Sequence, residues 1–309
     1  MHRLKDLIKQ QNGNVLIIFA LAFTALLGLA GLAIDGGTIY MTKAELQKVA
    51  NAAALSGGQE LPSSDPQAVR VIVDEVVTKH NELASLQTVD ITKTELEKSV
   101  EVGLEKIVPL PFLTLFGIDT MTVQANAKAG LGSMGRAFGA APLGVNEFQY
   151  KNLVKGQEYQ LKVDSGDSMT GNFGILALEG KGASTYEQTF RDGYSEELHV
   201  GEKVLVQTGN IAGSTREVVA EKVQSTCAEN DRDCTRVILV LIYQPVCTDP
   251  ATCTNYKEVK ITGFAYFYIS TPMDEKDTSI TGKFIERVGT GFADKSALNS
   301  GAYTVKLMK

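Results

Sequence analysis

Residues Gly13–Tyr40 read GNVLIIFALAFTALLGLAGLAIDGGTIY. The organisation of the whole chain turns on whether this stretch is a buried helix, a cleaved signal or a membrane anchor. From Asn14 to Ile34 there are 21 residues without a charge, and only Asn14 and Thr24 are polar. As a helix they would span roughly 31 Å, the thickness of a bilayer's hydrocarbon core. A helix apolar on every face does not lie on the surface of a soluble domain, where one face must be wet. A fully buried helix would need a large domain wrapped around the first 40 residues, and the polar N-terminus supplies no such partner.

The flanks set an orientation. Arg3, Lys5 and Lys9 precede the apolar run against one acid, Asp6, whereas Asp35, Lys43, Glu45 and Lys48 follow it. The excess of positive charge before the span predicts a cytoplasmic tail over 1–13, a transmembrane signal-anchor over 14–34 and an extracytoplasmic bulk. Tyr40 falls where an interfacial aromatic can sit. Gly31-Leu32-Ala33 also has small residues at the spacing of a signal-peptidase site. Signal peptides, however, use apolar cores of about 7–15 residues, so the length favours a retained anchor. Either way the rest of the chain is exported. Within the span, Ala20, Thr24 and Gly28 form a small-residue stripe of the kind that lets membrane helices approach, although such residues are common in apolar spans anyway.

The net charge of −6 argues against nucleic acid as a partner, because no basic field exists to meet phosphates. The four cysteines lie in two short polar loops, Cys227/Cys234 and Cys247/Cys253. Two loops each closed by its own disulfide is the simplest arrangement in an oxidising compartment, out of three possible pairings. A zinc site would normally use closer spacing within each pair.

Beyond the span, Gly36-Gly37 permits a kink and Thr42-x-x-Glu45 reads as a capping box opening a second helix, with Leu46, Val49, Ala50, Ala53 and Ala54 on one stripe. Asp65-Pro66 starts another helix, whose face is Val69, Ile72, Val73, Val76 and Val77. Val100, Val102 and Leu104 alternate as a half-buried strand. After the apolar turn PLPFLTLFGI, Met121, Val123, Ala125, Ala127 and Ala129 share a strand face. Together these give a small α+β unit over 35–132. Residues 133–142, rich in glycine and alanine, read as a linker. From 143 to 309 the pattern is strands and turns: YQLKV, FGILAL, KVLVQ, EVVAEKV, VILVLIY, VKITGFAYFYI, ITGKFI and YTVKLM predict an all-β sandwich or barrel-like domain. In GFAYFYI both faces are apolar, which suits a central strand.

An apolar span ending in Gly-Leu-Ala-Ile-Asp35, then Tyr40, then Leu46-Gln47 and Ala50-Asn51-Ala52-Ala53-Ala54-Leu55, resembles the N-terminal module of TadE/TadG-like Flp (Tad) pilus-assembly proteins. The resemblance is close over the first 60 residues and looser through the strands to Gly132. It implies a pilin-like α+β domain and a non-enzymatic, membrane-anchored, surface-exposed component of pilus assembly or anchoring. Its partners would be membrane lipid and pilus subunits or other Tad-system membrane components. Pilins cut by prepilin peptidase carry Glu five residues after the cleavage glycine. Counted from Gly13, that position is Ile18, so processing as a major pilin is not expected.

Catalytic chemistry has little support in the residues. His2, His80 and His199 belong to no HExxH pattern or triad. Gly174–Lys181 has the wrong spacing for a phosphate loop. Asp164-Ser165-Gly166-Asp167-Ser168 follows a strand, as does the Asp-x-Ser-x-Ser metal site of the von Willebrand A-like domains found in longer TadG-type proteins. Gly166 replaces the middle serine, however, and the alternating helices of such a domain are missing. A plain turn is the simpler reading. Asp164 and Ser168 are weak candidates for calcium, and with them goes an alternative role as an anchored adhesive or ligand-binding module. No cofactor is expected.

Overall fold

A computed structural model describes residues 12–63, 65–94, 97–154, 156–162, 173–207, 211–247 and 256–308. It begins with a single helix, α1 (Asn12–Gly58), 47 residues long. No break falls at Gly36-Gly37, where the sequence permits a kink, and the fresh helix start read at Thr42 is absent. Each glycine costs a helix about 1 kcal/mol relative to alanine. Breaking the ladder at the end of an apolar span would instead strand several backbone groups, which costs more. Thr38 donates its hydroxyl to the Ile34 carbonyl at 3.0 Å and stays within the helix.

Leu46, Val49, Ala50, Ala53 and Ala54 are buried as the stripe predicts. Helix α2 (Pro66–Lys79) is capped by Asp65, whose carboxylate accepts from the Gln67 amide at 2.8 Å. Its Val69, Val73 and Val77 pack the end of α1, where a Cβ on Gly57 would lie 2.7 Å from Val73. Three strands follow, β1 (Leu86–Lys93), β2 (Lys98–Pro109) and β3 (Thr120–Ala137), in an antiparallel meander. Val100, Val102, Leu104, Val123, Ala125, Ala127 and Ala129 form one core with α1 and α2. Met121 belongs to the same strand face yet is exposed, because it sits past the end of that core.

The remaining strands are β4 (Ala140–Asn146), β5 (Glu158–Lys162), β6 (Phe173–Ala177), β7 (Leu198–His199), β8 (Lys203–Val206), β9 (Val237–Pro245), β10 (Glu258–Ile269), β11 (Ser279–Ile285), β12 (Arg287–Val288), β13 (Gly291–Ala293) and β14 (Ala302–Met308). The second sheet runs β5-β11-β10-β8-β6-β4-β9, and a further β9–β10 pairing closes β10, β8, β6, β4 and β9 into a ring. This is the barrel-like form of the β-rich expectation. Strand β10 is buried on both sides: Phe264 faces the ring core with Leu239, Leu241 and Tyr243. Ala265, Phe267 and Ile269 face a second core with Ile238, Val240 and Ile242.

Three local readings change. EVVAEKV is helical, inside α5 (Ala212–Val223), which with α3 (Glu147–Lys151) and α4 (Ala183–Asp192) covers the outer core. Its buried residues, Ala212, Thr215, Val218 and Val219, have helical spacing that shows only when the window opens before Glu217. YTVKLM leaves the second sheet: β14 pairs with β3 from Lys128 to Ser133 and packs Val305 on Gly58, covering the edge of the first sheet. Residues 133–142 are mostly strand, completing β3 and opening β4. Sequence pattern shows which residues want burial, not which distant edge will receive a strand.

Candidate membrane-anchoring site

Helix α1 has two halves with opposite surroundings. From Leu16 to Ile34 its large side chains are exposed all round, Leu16, Phe19 and Leu26 among them, and residues 16–58 are long and apolar enough to cross a membrane. From Ile39 onward one face of it, Ile39, Leu46, Val49, Ala50, Ala53, Ala54 and Leu55, packs into the core of the first sheet. Two buried residues join the halves. Gly31 lies under the Phe112 ring, which a Cβ there would meet at 2.6 Å. One turn later, Asp35 is only 1% exposed, and its Oδ2 accepts from the backbone amides of Phe112 (3.1 Å) and Leu113 (2.7 Å). These amides open the 3-10 turn Leu113–Phe116, where donors lack partners within the turn. Asp35 Oδ1 is buried without a hydrogen-bond partner among the described residues.

The strands are aligned with the helix by further contacts. Lys43 donates to the Gln124 carbonyl, Gln47 to the Asn126 carbonyl at 2.8 Å, and Gly58 approaches Ala129. Strand β3 therefore lies along α1 with its Thr120 end toward the apolar half. The β2–β3 turn is carried to the level of Gly31–Asp35. From Ile107 to Ile118 it has no charged residue, and Leu115 (83%) and Phe116 (68%) are exposed at its tip.

The stripe Ala20, Thr24, Gly28 lies on the bare half of α1. The Thr24 hydroxyl is taken up by the Ala20 carbonyl at 2.8 Å, and Gly28 has open space around it. Cys227 and Cys234 form a disulfide. Cys247 is also disulfide-bonded, while Cys253 lies outside the described residues, as do His2, Asp164 and Ser168. His80 caps α2, and the exposed His199 is 3.0 Å from Glu202. Among the described residues no group of three or more His, Cys, Asp or Glu could hold a metal ion. A groove of about 690 Å³ runs between the α1–α2 connection and the Cys227–Cys234 loop. Across it Arg232 pairs with Glu60 at 3.3 Å and Arg287 donates to the Glu229 carbonyl at 3.1 Å, so it reads as a seam between the two halves of the molecule.

The Cys227–Cys234 loop is also held by Tyr268, whose hydroxyl donates to the Cys227 carbonyl at 3.1 Å. Cross-linking so short a loop contributes about 2–3 kcal/mol. The double variant Cys227→Ser/Cys234→Ser should remain folded and lose stability of about that size in denaturant titration. An unchanged midpoint would show that the hydrogen bonds alone hold the loop.

Helix α1 thus has one half bare and apolar and the other half in the core of an antiparallel sheet. Residues 13–60 match the family model of Flp pilus-assembly TadE/G-like proteins. The matched segment runs from the second residue of α1 to two residues past its end. No curated protein and no solved structure matches the chain. The apolar turn was legible from sequence, but the roles of Gly31 and Asp35 were not. Their one signal was a glycine and a carboxylate spaced one helical turn apart at the end of the span.

Proposed function

We propose that this chain is a non-enzymatic, single-pass component of Tad/Flp-type pilus assembly or anchoring. Residues 14–34 act as the uncleaved anchor, residues 1–13 lie in the cytoplasm and the sheets lie outside. The observation that carries the reading is the coincidence of the family match with α1, from the start of the bare apolar half to the last turn in the core. Retention of the anchor is supported by the unbroken helix through Ala33 and by the buried contacts of Gly31 and Asp35 on either side of it. Export is supported by the basic residues ahead of the span and by the Cys227–Cys234 disulfide. Membrane lipid is then one partner, and pilus subunits or other Tad-system membrane proteins the others. The bare stripe Ala20, Thr24, Gly28 is the proposed face for a neighbouring membrane helix, and Cys253 the proposed partner of Cys247.

Deleting the gene should remove surface pili while pilin is still made, and the full chain should restore them. Normal piliation in the deletion strain would sink the proposal. A protein recovered with Ile34 as its first residue would sink the anchor.

A further inference from the structure

We propose that the β2–β3 turn, residues 107–118, is a second membrane contact, seated in the outer part of the leaflet from which α1 emerges. The inference rests on the reading of α1 as a membrane anchor. Depth is fixed by structure: Phe112 is packed on Gly31 and its amide is bonded to Asp35. Gly31 falls within the last turn of the apolar span, so the tip that continues past Phe112 lies beside residues that are themselves in lipid.

The chemistry of the turn suits that position. Ile107, Leu115, Phe116, Ile118 and Met121 present exposed apolar side chains on one end of the hairpin. The charges stop at Lys106 and Asp119, which bracket the segment. Thr114, the one polar side chain inside it, donates its hydroxyl to the Leu110 carbonyl at 2.9 Å. Pro109 and Pro111 have no amide hydrogen. The Leu110 amide bonds to Asp119, Phe112 and Leu113 to Asp35, Thr114 to Leu110, and Ile118 to Leu113. Irregular backbone is costly in an apolar medium unless its polar groups are satisfied within the protein, and these internal bonds to the amides lower that cost for the turn. A protein partner would normally be met by some hydrogen bonds as well as by shape, and no side chain of the tip is free to make one.

The chain has no tryptophan, so a single introduced indole reports without background. Phe116→Trp, Leu21→Trp on the span and Phe148→Trp on α3, all at exposed positions, would each be placed in the full chain. The proteins would be reconstituted in phosphatidylcholine vesicles containing lipid brominated near the top of the acyl chains. Phe116→Trp should emit to the blue of Phe148→Trp and be quenched severalfold more strongly. Quenching of Leu21→Trp with none of Phe116→Trp would overturn the second contact while leaving the anchor intact. Blue-shifted emission from Phe116→Trp without bromolipid quenching would assign the tip to a protein interface and overturn it equally. If Leu21→Trp itself escapes quenching, the anchor fails and the tip contact with it.

Discussion

A chain beginning at Leu29 is expected to leave the membrane fraction yet remain folded. Residues 16–28 lie on the bare half of α1, and the apolar residues that α1 gives to the core begin at Ile39. Their removal takes away no packed surface, so the thermal midpoint should stay within about 2 °C of the full chain measured in detergent. Gly31 and Asp35 are kept, and so is the seat of the β2–β3 turn. Carbonate extraction and vesicle flotation read the first half of the expectation, and calorimetry the second. A truncated protein that resists carbonate extraction would show that the apolar half is not the anchor. Weak residual flotation abolished by Phe116→Asp would be the signature of the turn alone, since one apolar contact of this size gives only reversible binding.

The second large effect is expected at Asp35. Its carboxylate accepts two backbone hydrogen bonds while almost wholly buried, and each bond to a charged group contributes about 1.5–3 kcal/mol. Asp35→Ala should therefore lower the free energy of opening the β2–β3 turn by about 3 kcal/mol, on the order of a hundredfold in hydrogen exchange at Leu113 and Ile118. Amides in β9 and β10 should keep their protection, because that core shares no residue with the clasp. Asp35→Asn, with one acceptor oxygen but no charge, should fall between the two. Unchanged exchange in Asp35→Ala would mean that Phe112 packing on Gly31 holds the turn without the carboxylate.

Much of the local architecture could be read from residue spacing. The Asp65 cap, the valine face of α2, the alternation in β2 and the two apolar faces of β10 all reappear as expected, because each depends on side chains a few residues apart. The misreadings share a different cause. EVVAEKV alternates well enough to pass for a strand, and only the wall formed by β4, β9 and β10 makes the helical stripe the better burial. YTVKLM is a strand either way. Its partner was decided by the open edge of β3 and by the notch at Gly58, more than a hundred residues distant.

The sequence by itself determined that residues 14–34 are apolar on every face, that the alanine-rich run after them packs against something, and that the module is TadE/G-like. These are properties of composition and of periods of two and 3.6, which the chain carries locally. Only the tertiary structure decided that the span and the alanine-rich run are one helix, and that Asp35 is spent inside the protein. The same contacts place the apolar turn PLPFLTLFGI at the end of the span. Hydrogen bonds and close packing between residues about eighty positions apart fix that geometry, and no local pattern encodes a distance of that kind.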